Sequence, residues 1–452
     1  MKNLLKSPLK LLKSGLKKGE KPGRFQIAFC SAMLNYVLFS YVKLSYVMFS
    51  IHSVSKIDMG TRPETLRYKE NRIPFTCHLS YGIMMDTNKT TKEVQQMQLQ
   101  FDLNKTYAIA LEGGGAKGAY EIGVWQALDE VGVKYNAVSG TSVGALNGAL
   151  MAMRDLERAV DCWSNIRLSQ VIDLSSMDAE TFKNVLEGKL ESDDWQELLP
   201  QAIDVIRNRG LDVSPLRAWV RSIVDEHKLK TSDVDFYVST VSLTDRKGLE
   251  VHINELPEDE ICDMLLASAY HPSFRLEKLG GKYYADGGFV DTLPLHALVA
   301  AGYKDIIAVR LPSKGVEKRF KMPDDVRLTT IRTYADLGHV LNFEAEQAKR
   351  DMAIGYMDAR RVLYGLHGRL YYVERSMSER EALEWILARR GEAEGSLRDY
   401  LETELPRTAR QLDAADMDYY DLMLALAEQK ADRCNLPKLR VYADRDLLKL
   451  IE

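Results

Sequence analysis

Three features predict an α/β chain with three layers and a mostly parallel central sheet. Short apolar runs alternate with helical patterns from residue 106 to residue 311, the order that places helices on both faces of one sheet. Two glycine-rich turns, at 113–118 and 140–144, each follow an apolar run and open a helix. The run DIIAVRL at 305–311 is apolar without strict alternation, as expected of a strand covered on both faces. From residue 312 onward the texture changes to densely charged amphipathic segments, so a C-terminal helical extension is expected. The chain therefore divides into an extension over 1–84, a leader over 85–105, an α/β core over 106–311, and a linker with helices over 312–452.

The elements follow in order. A strand over 107–111 leads into Gly113-Gly114-Gly115-Ala116-Lys117-Gly118 and a helix, and a second strand ends in Gly140-Thr141-Ser142-Val143-Gly144 before a helix over 145–153. Helical spacing continues over 156–166. Residues 175–210 read as helices and loops over a cleft mouth, with Trp195, Leu198, Leu199, Ile203 and Ile206 either buried on amphipathic faces or lining a lipid-accepting groove. Ser214-Pro215 starts a helix over 213–227. The β-rich run DFYVSTVS at 235–242 predicts a central strand, paired with a short strand over 249–253. A helix over 258–267, a short strand ending at Asp286, a helix over 295–301 and the strand at 305–311 complete the core. An edge strand is expected at 328–332, and helices at 337–364, 379–390, 397–405 and 419–431.

The second glycine turn has the G-x-S-x-G form of a nucleophile elbow, in which a tight strand-to-helix turn strains the serine and exposes its hydroxyl. Gly140 and Gly144 suit the flanks, because a Cβ there would meet the neighbouring strand or helix. Alone the pentapeptide is a weak signal, and Thr141 or Ser142 as an ordinary helix N-cap is the bland alternative. The first turn strengthens it: three consecutive glycines set adjacent N–H groups in a loop no side chain blocks, which suits an oxyanion hole. The same glycines satisfy G-x-G-x-x-G. A dinucleotide site, however, wants an acidic residue ending the second strand, and that strand ends in Ser139-Gly140-Thr141-Ser142.

A serine nucleophile needs a base. His296 and His339 sit in no obvious loop after a strand, and His271 precedes the best acid. That acid is Asp286, where a short strand ends in a carboxylate followed by Gly287 and Gly288. A partly desolvated carboxylate can take the serine proton directly. A plain Asp-Gly turn is the alternative.

These residues together resemble the patatin-like phospholipase family. The likeness rests on Gly113–Gly118 as the oxyanion loop, on Gly140 to Gly144 as the elbow, and on Asp286-Gly287-Gly288 as the motif of the second catalytic residue. The block ASAYHPSF at 267–274 and Asp291-Thr292-Leu293-Pro294 also fit, with Thr292 where the family usually has asparagine. Lys117 stands for a usual arginine and keeps the charge. The resemblance covers about 107 to 311. It implies a lipid acyl hydrolase with Ser142 as nucleophile, Asp286 as base and the Gly113, Gly114 and Gly115 amides around the oxyanion. It implies no histidine, no cofactor and no metal, and a lipid substrate at a membrane surface. A non-catalytic lipid- or protein-binding module on the same fold, and a nucleotide-dependent oxidoreductase, are the rival readings.

Composition bounds the rest. The net charge of −4 over 452 residues argues against a general nucleic-acid binder. Five cysteines without CxxC spacing favour a reducing, cytoplasmic setting and exclude a zinc ribbon. Residues 1–24 interleave lysines with leucines, and 25–51 form an apolar run interrupted only by the charge of Lys43. Membrane association through 1–51, an extension outside the functional product, and a structured subdomain all stay open for 1–84. Paired basics at Lys349-Arg350, Arg360-Arg361 and Arg389-Arg390 read as solvated helix faces or, alternatively, lipid-phosphate contacts. The C-terminal helices are candidates for an oligomer interface or a protein partner.

Overall fold

Alternate residues of the first strand enter different cores, which is what builds layers on a sheet. A computed structural model describes residues 97–173, 211–271, 274–313, 315–390, 396–414 and 417–452. In β1 (Thr106–Leu111), Tyr107, Ile109 and Leu111 join the large core on one face, while Ala108 and Ala110 join a smaller cluster on the other. The large core takes α1 (Ala119–Glu130), α2 (Val143–Ala152) and α3 (Leu156–Ser164). β2 (Lys134–Thr141) lies between α1 and α2 in the chain.

The expected single helix over 213–227 is two helices, α4 (Ser214–Ile223) and α5 (Glu226–Lys230). Val224 turns extended between them, and the Asp225 carboxylate caps the second by accepting from the Lys228 N–H at 2.9 Å. β3 (Asp235–Ser242), β4 (Lys247–His252), α6 (Glu258–Ser268), β5 (Lys278–Leu279) and β6 (Lys282–Asp286) follow. α7 (Leu295–Ala300) covers the smaller core, and β7 (Asp305–Arg310) and β8 (Arg327–Arg332) complete the sheet.

The sheet order is β5-β6-β3-β2-β1-β7-β8, with β4 also on β3. β3, β2, β1, β7 and β8 are mutually parallel, and β4 and β6 run antiparallel to β3. The chain steps outward from β1 through β2 to β3, then returns to the other side of β1 for β7. β1 is thus the switch point, where open α/β sheets leave a crevice at the carboxyl ends of their strands. The α/β class with a mostly parallel sheet and a helical C-terminal extension is therefore the observed architecture.

The helix expected over 337–364 begins only at Ala345, as α8 (Ala345–Tyr364). Gly338 is left-handed (φ +74°) and donates its N–H to the Asp336 carboxylate, a turn that stops a helix before it starts. α8 packs on α1, and its buried Asp358 accepts from Tyr120 of α1 at 3.1 Å and from Tyr372 at 3.0 Å. Tyr372 belongs to β9 (Tyr372–Glu374), which pairs in parallel with a strand near the chain end; neither strand is expected from the sequence.

Around them a second core gathers α9 (Glu379–Ala388), α10 (Leu405–Gln411), α11 (Tyr419–Arg433), β10 (Val441–Ala443) and α12 (Asp444–Leu450). The segment expected as one helix over 397–405 is a helical turn, Leu397–Asp399, then a π-helical turn, Tyr400–Glu404, that enters α10. At least one residue of each basic pair is engaged by an acid: Arg361 bonds Asp358 and lies over Tyr372, Arg389 bonds Glu452, and Lys349 bonds Glu346. The residues expected at the cleft mouth, 175–210, and the whole 1–84 extension lie outside the described residues. Among the described residues no helix is long and apolar enough to cross a membrane.

Candidate active site

Register, more than proximity in the chain, brings the two candidate side chains together. On β3, residues 235 to 239 pair with β2, ending at Thr141 opposite Ser239. The next residues, 240 to 242, pair with β6, beginning at Asp286 opposite Thr240. β4 pairs with β3 from Tyr237 to Ser242 and so occupies the other edge. β2 and β6 therefore share one edge of β3 and run toward each other, so their carboxyl ends meet head to head. Ser142 follows the first end and Asp286 is the second.

At that meeting point Ser142 Oγ donates to Asp286 Oδ2 at 2.6 Å. Ser142 has φ 56° and ψ −124°, a conformation that a residue with a Cβ holds only under restraint, at a strain of about 1–3 kcal/mol. Gly140 permits the turn, because a Cβ there would overlap the Gly144 carbonyl. Asp286 ends β6, and Gly287 opens a one-turn helix, Gly287–Phe289. The Gly288 N–H donates to Asp286 Oδ1 at 2.8 Å and fixes the carboxylate plane. Burial pushes the Asp286 carboxyl up to about 6, against the opposing pull of the Ser142 hydroxyl and the Gly288 amide. A carboxylate with that proton affinity is a stronger base than an exposed aspartate and is still ionised at neutral pH.

The glycine loop differs in one respect from expectation. The Gly113 N–H is not open to a ligand: it donates to the Thr292 carbonyl at 2.9 Å, closing the loop onto the segment after Asp286. Three adjacent amides are thus reduced to two, those of Gly114 and Gly115. These head the one-turn helix Gly115–Gly118, where the first N–H groups have no intrahelical acceptor. Gly115 is left-handed (φ +59°), and a Cβ there would run into the Val340 carbonyl, which accepts the Ala116 N–H at 2.8 Å. Lys117 is buried and donates from Nζ to the Pro312 carbonyl at 2.8 Å, so this cation anchors the loop after β7. Gly118 opens α1, and its carbonyl accepts from Asn147 at 2.9 Å.

Glu112 is a contributor that no motif signals. Its buried carboxylate accepts from Leu311 N and Ser313 Oγ, both at 2.9 Å, tying the glycine loop to the end of β7. Burial raises its proton affinity. Ser139 and Thr141 of β2 donate to the Pro294 and Asp291 carbonyls at 2.9 and 2.8 Å, which seats the 291–294 loop under the elbow.

The histidines are arranged otherwise. His296 bonds Glu250 and Lys318 on the surface. Burial, with His339 nearby, pushes the His271 imidazole down to about 4, so it is neutral at physiological pH. A hydroxyl has one hydrogen, and that of Ser142 goes to Asp286. A dinucleotide reading fares poorly here, since the Gly113 and Ala116 amides it would aim at a pyrophosphate are bonded to protein carbonyls. Among the described residues no group of His, Cys, Asp or Glu side chains is arranged to hold a metal ion.

The family model for patatin-like phospholipases matches residues 109–299. Over those residues the chain is similar to patatin-like phospholipases. Patatin-like phospholipase domain-containing protein 7 of Rattus norvegicus is 25% identical over 207 residues, covering 46% of this chain and 14% of that protein. The corresponding protein 6 of Homo sapiens is 23% identical over 215 residues, with the same two coverages. Lysophospholipase NTE1 of Mycosarcoma maydis is 26% identical over 207 residues, covering 45% of this chain and 10% of that protein. The matched part of this chain thus spans only about a seventh or less of these relatives. Among solved structures, VipD from Legionella pneumophila aligns with 75% of this chain and 83% of its own at 15% identity and a TM-score of 0.36. The type III effector protein ExoU aligns with 76% and 74% at 17% identity and a TM-score of 0.32. The patatin-like domain contains both glycine turns and Asp286, and it ends near α7.

Proposed function

We propose that the patatin-like domain is a serine acyl hydrolase that cleaves fatty-acyl esters of phospholipids or related lipids through an acyl-enzyme. One observation carries this reading: the strained Ser142 donates its only hydroxyl hydrogen to a carboxylate whose proton affinity burial has raised. As Ser142 Oγ attacks the ester carbonyl carbon, Asp286 takes the proton. The carbonyl oxygen becomes an oxyanion beside the Gly114 and Gly115 amides, Gly113 being engaged with Thr292. Collapse breaks the ester C–O bond, the leaving alcohol takes the proton from Asp286, and the acyl group stays on Ser142. Water, deprotonated by Asp286, then releases the fatty acid and restores the serine. The names of the relatives, phospholipase and lysophospholipase, direct the choice of substrate class.

A binding module would have no use for a strained serine bonded to a buried base, so catalysis is the preferred reading. The test is hydrolysis of a medium-chain p-nitrophenyl ester by the full chain and its Ser142→Ala variant. The variant is expected to fold and to fall to background. Turnover comparable with the unaltered protein would sink the mechanism. Lipid profiles of membranes incubated with either protein would then identify the ester cleaved.

A further inference from the structure

The elbow conformation of Ser142 needs a restraint, and the restraint comes from a residue outside both catalytic motifs. The Ser142 N–H donates to Ser268 Oγ at 2.9 Å, and the Ser268 hydroxyl donates onward to the Ser239 carbonyl at 2.7 Å. Ser268 ends α6 and is fully buried. Its single hydroxyl thus spans from the nucleophile's backbone to β3, the strand on whose edge β2 and β6 meet. The same short segment also holds the base, because the Asp286 N–H donates to the Tyr270 carbonyl at 3.0 Å. Thr240, buried on β3, secures the segment by sharing its hydroxyl between the Ala267 and Ala285 carbonyls at 3.0 and 3.2 Å.

The geometry points to Ser268 as a positioning residue that holds Ser142 in its strained conformation and so sets the reach between its hydroxyl and Asp286. This rests on the reading of those two residues as nucleophile and base. Without the Ser268 hydroxyl, the Ser142 N–H has lost its acceptor and Ser239 its donor, and the elbow relaxes toward an ordinary helix start. The Ser142 hydroxyl then leaves Asp286. Among the described residues, burial, this hydroxyl and the Gly288 amide set the proton affinity of the carboxyl. Losing the hydroxyl therefore raises that affinity further, a signature that general loosening of the core does not produce.

The experiment compares Ser268→Ala with Leu265→Ala, a buried change on the same helix, in the full chain with a p-nitrophenyl ester. Ser268→Ala is expected to lower kcat by about tenfold to a hundredfold with KM within about twofold, as displacement of a catalytic group by a fraction of an ångström does. Its acid limb in kcat/KM moves to higher pH, while that of Leu265→Ala stays in place even where Tm falls further. Ser268→Cys keeps a weak donor and acceptor at similar size and restores part of the rate, and it serves in place of the alanine variant if that fails to fold. Unaltered kcat and an unmoved acid limb in Ser268→Ala overturn the assignment, as does an equal kinetic loss in Leu265→Ala. These outcomes are separate from failure of the underlying reading, which Ser142→Ala tests alone.

Discussion

Replacing Asp286 by asparagine is expected to abolish hydrolysis and, at the same time, to make the protein more stable. The carboxyl is raised from its ordinary value of 3.8 to about 6 because burial disfavours the charge. At about 1.4 kcal/mol per pH unit, that gap corresponds to at most about 3 kcal/mol by which the ionised group destabilises the native state above pH 6. Asparagine removes the charge while its carbonyl still accepts from the Gly288 N–H and its amide reaches Ser142. The sign follows from the direction of the shift. The native carboxyl binds its proton more tightly than the unfolded one, so its favourable contribution is complete below about pH 3.8 and is lost as pH rises through 6. The difference in Tm between variant and unaltered protein should therefore be near zero at pH 4, open between 4 and 6, and level off above 7 at a few degrees. Scanning calorimetry across that range measures it. In parallel, kcat/KM for an ester should fall by about a hundredfold or more, the usual scale of a lost general base. A variant less stable than the parent at pH 8 would show that the buried charge is fully compensated and would remove the basis for a raised proton affinity.

Further outcomes follow from the same geometry. For the unaltered protein, kcat/KM should drop about tenfold per pH unit below about pH 6, because protonated Asp286 cannot accept from Ser142; a flat profile down to pH 5 would contradict this. Gly115→Ala should lose hydrolysis and destabilise the fold by about 1–3 kcal/mol, since the left-handed backbone and the Val340 carbonyl both oppose a Cβ. Denaturant melts together with an esterase assay check it, and normal values in both would mean the loop is free to shift. His296→Ala should retain activity within about threefold, its ring being held at the surface by Glu250 and Lys318; a hundredfold loss would argue for a triad.

The residues of the candidate site were legible because their chemistry constrains local sequence. An elbow needs small residues around its serine, and an oxyanion loop needs amides that no side chain covers. A carboxylate ending a strand before two glycines is also visible in the chain itself. A helix with a side-chain cap and clear periodicity, such as α9 behind Ser378, was legible for the same local reason. Ser268 was visible only as a small residue in a family-like block, since nothing in the chain says which amide a buried hydroxyl will meet. Glu112 carried no signal, and its role exists only because β7 ends beside β1. The false start at 337 had amphipathic spacing, but Asp336 and Gly338 made a turn and the Val340 carbonyl was taken by Ala116.

Local chemistry was thus enough to single out Ser142, Asp286 and the glycine loop as candidates, and to set them on a mostly parallel sheet. Tertiary structure decided how they meet. Hydrogen-bond register along one edge of β3 brings two strand ends face to face, and burial at that junction raises the aspartate's proton affinity. The Thr292 carbonyl withdraws Gly113 from the expected amide row. Each of these depends on partners far away in the chain, which is why no reading of adjacent residues contains them.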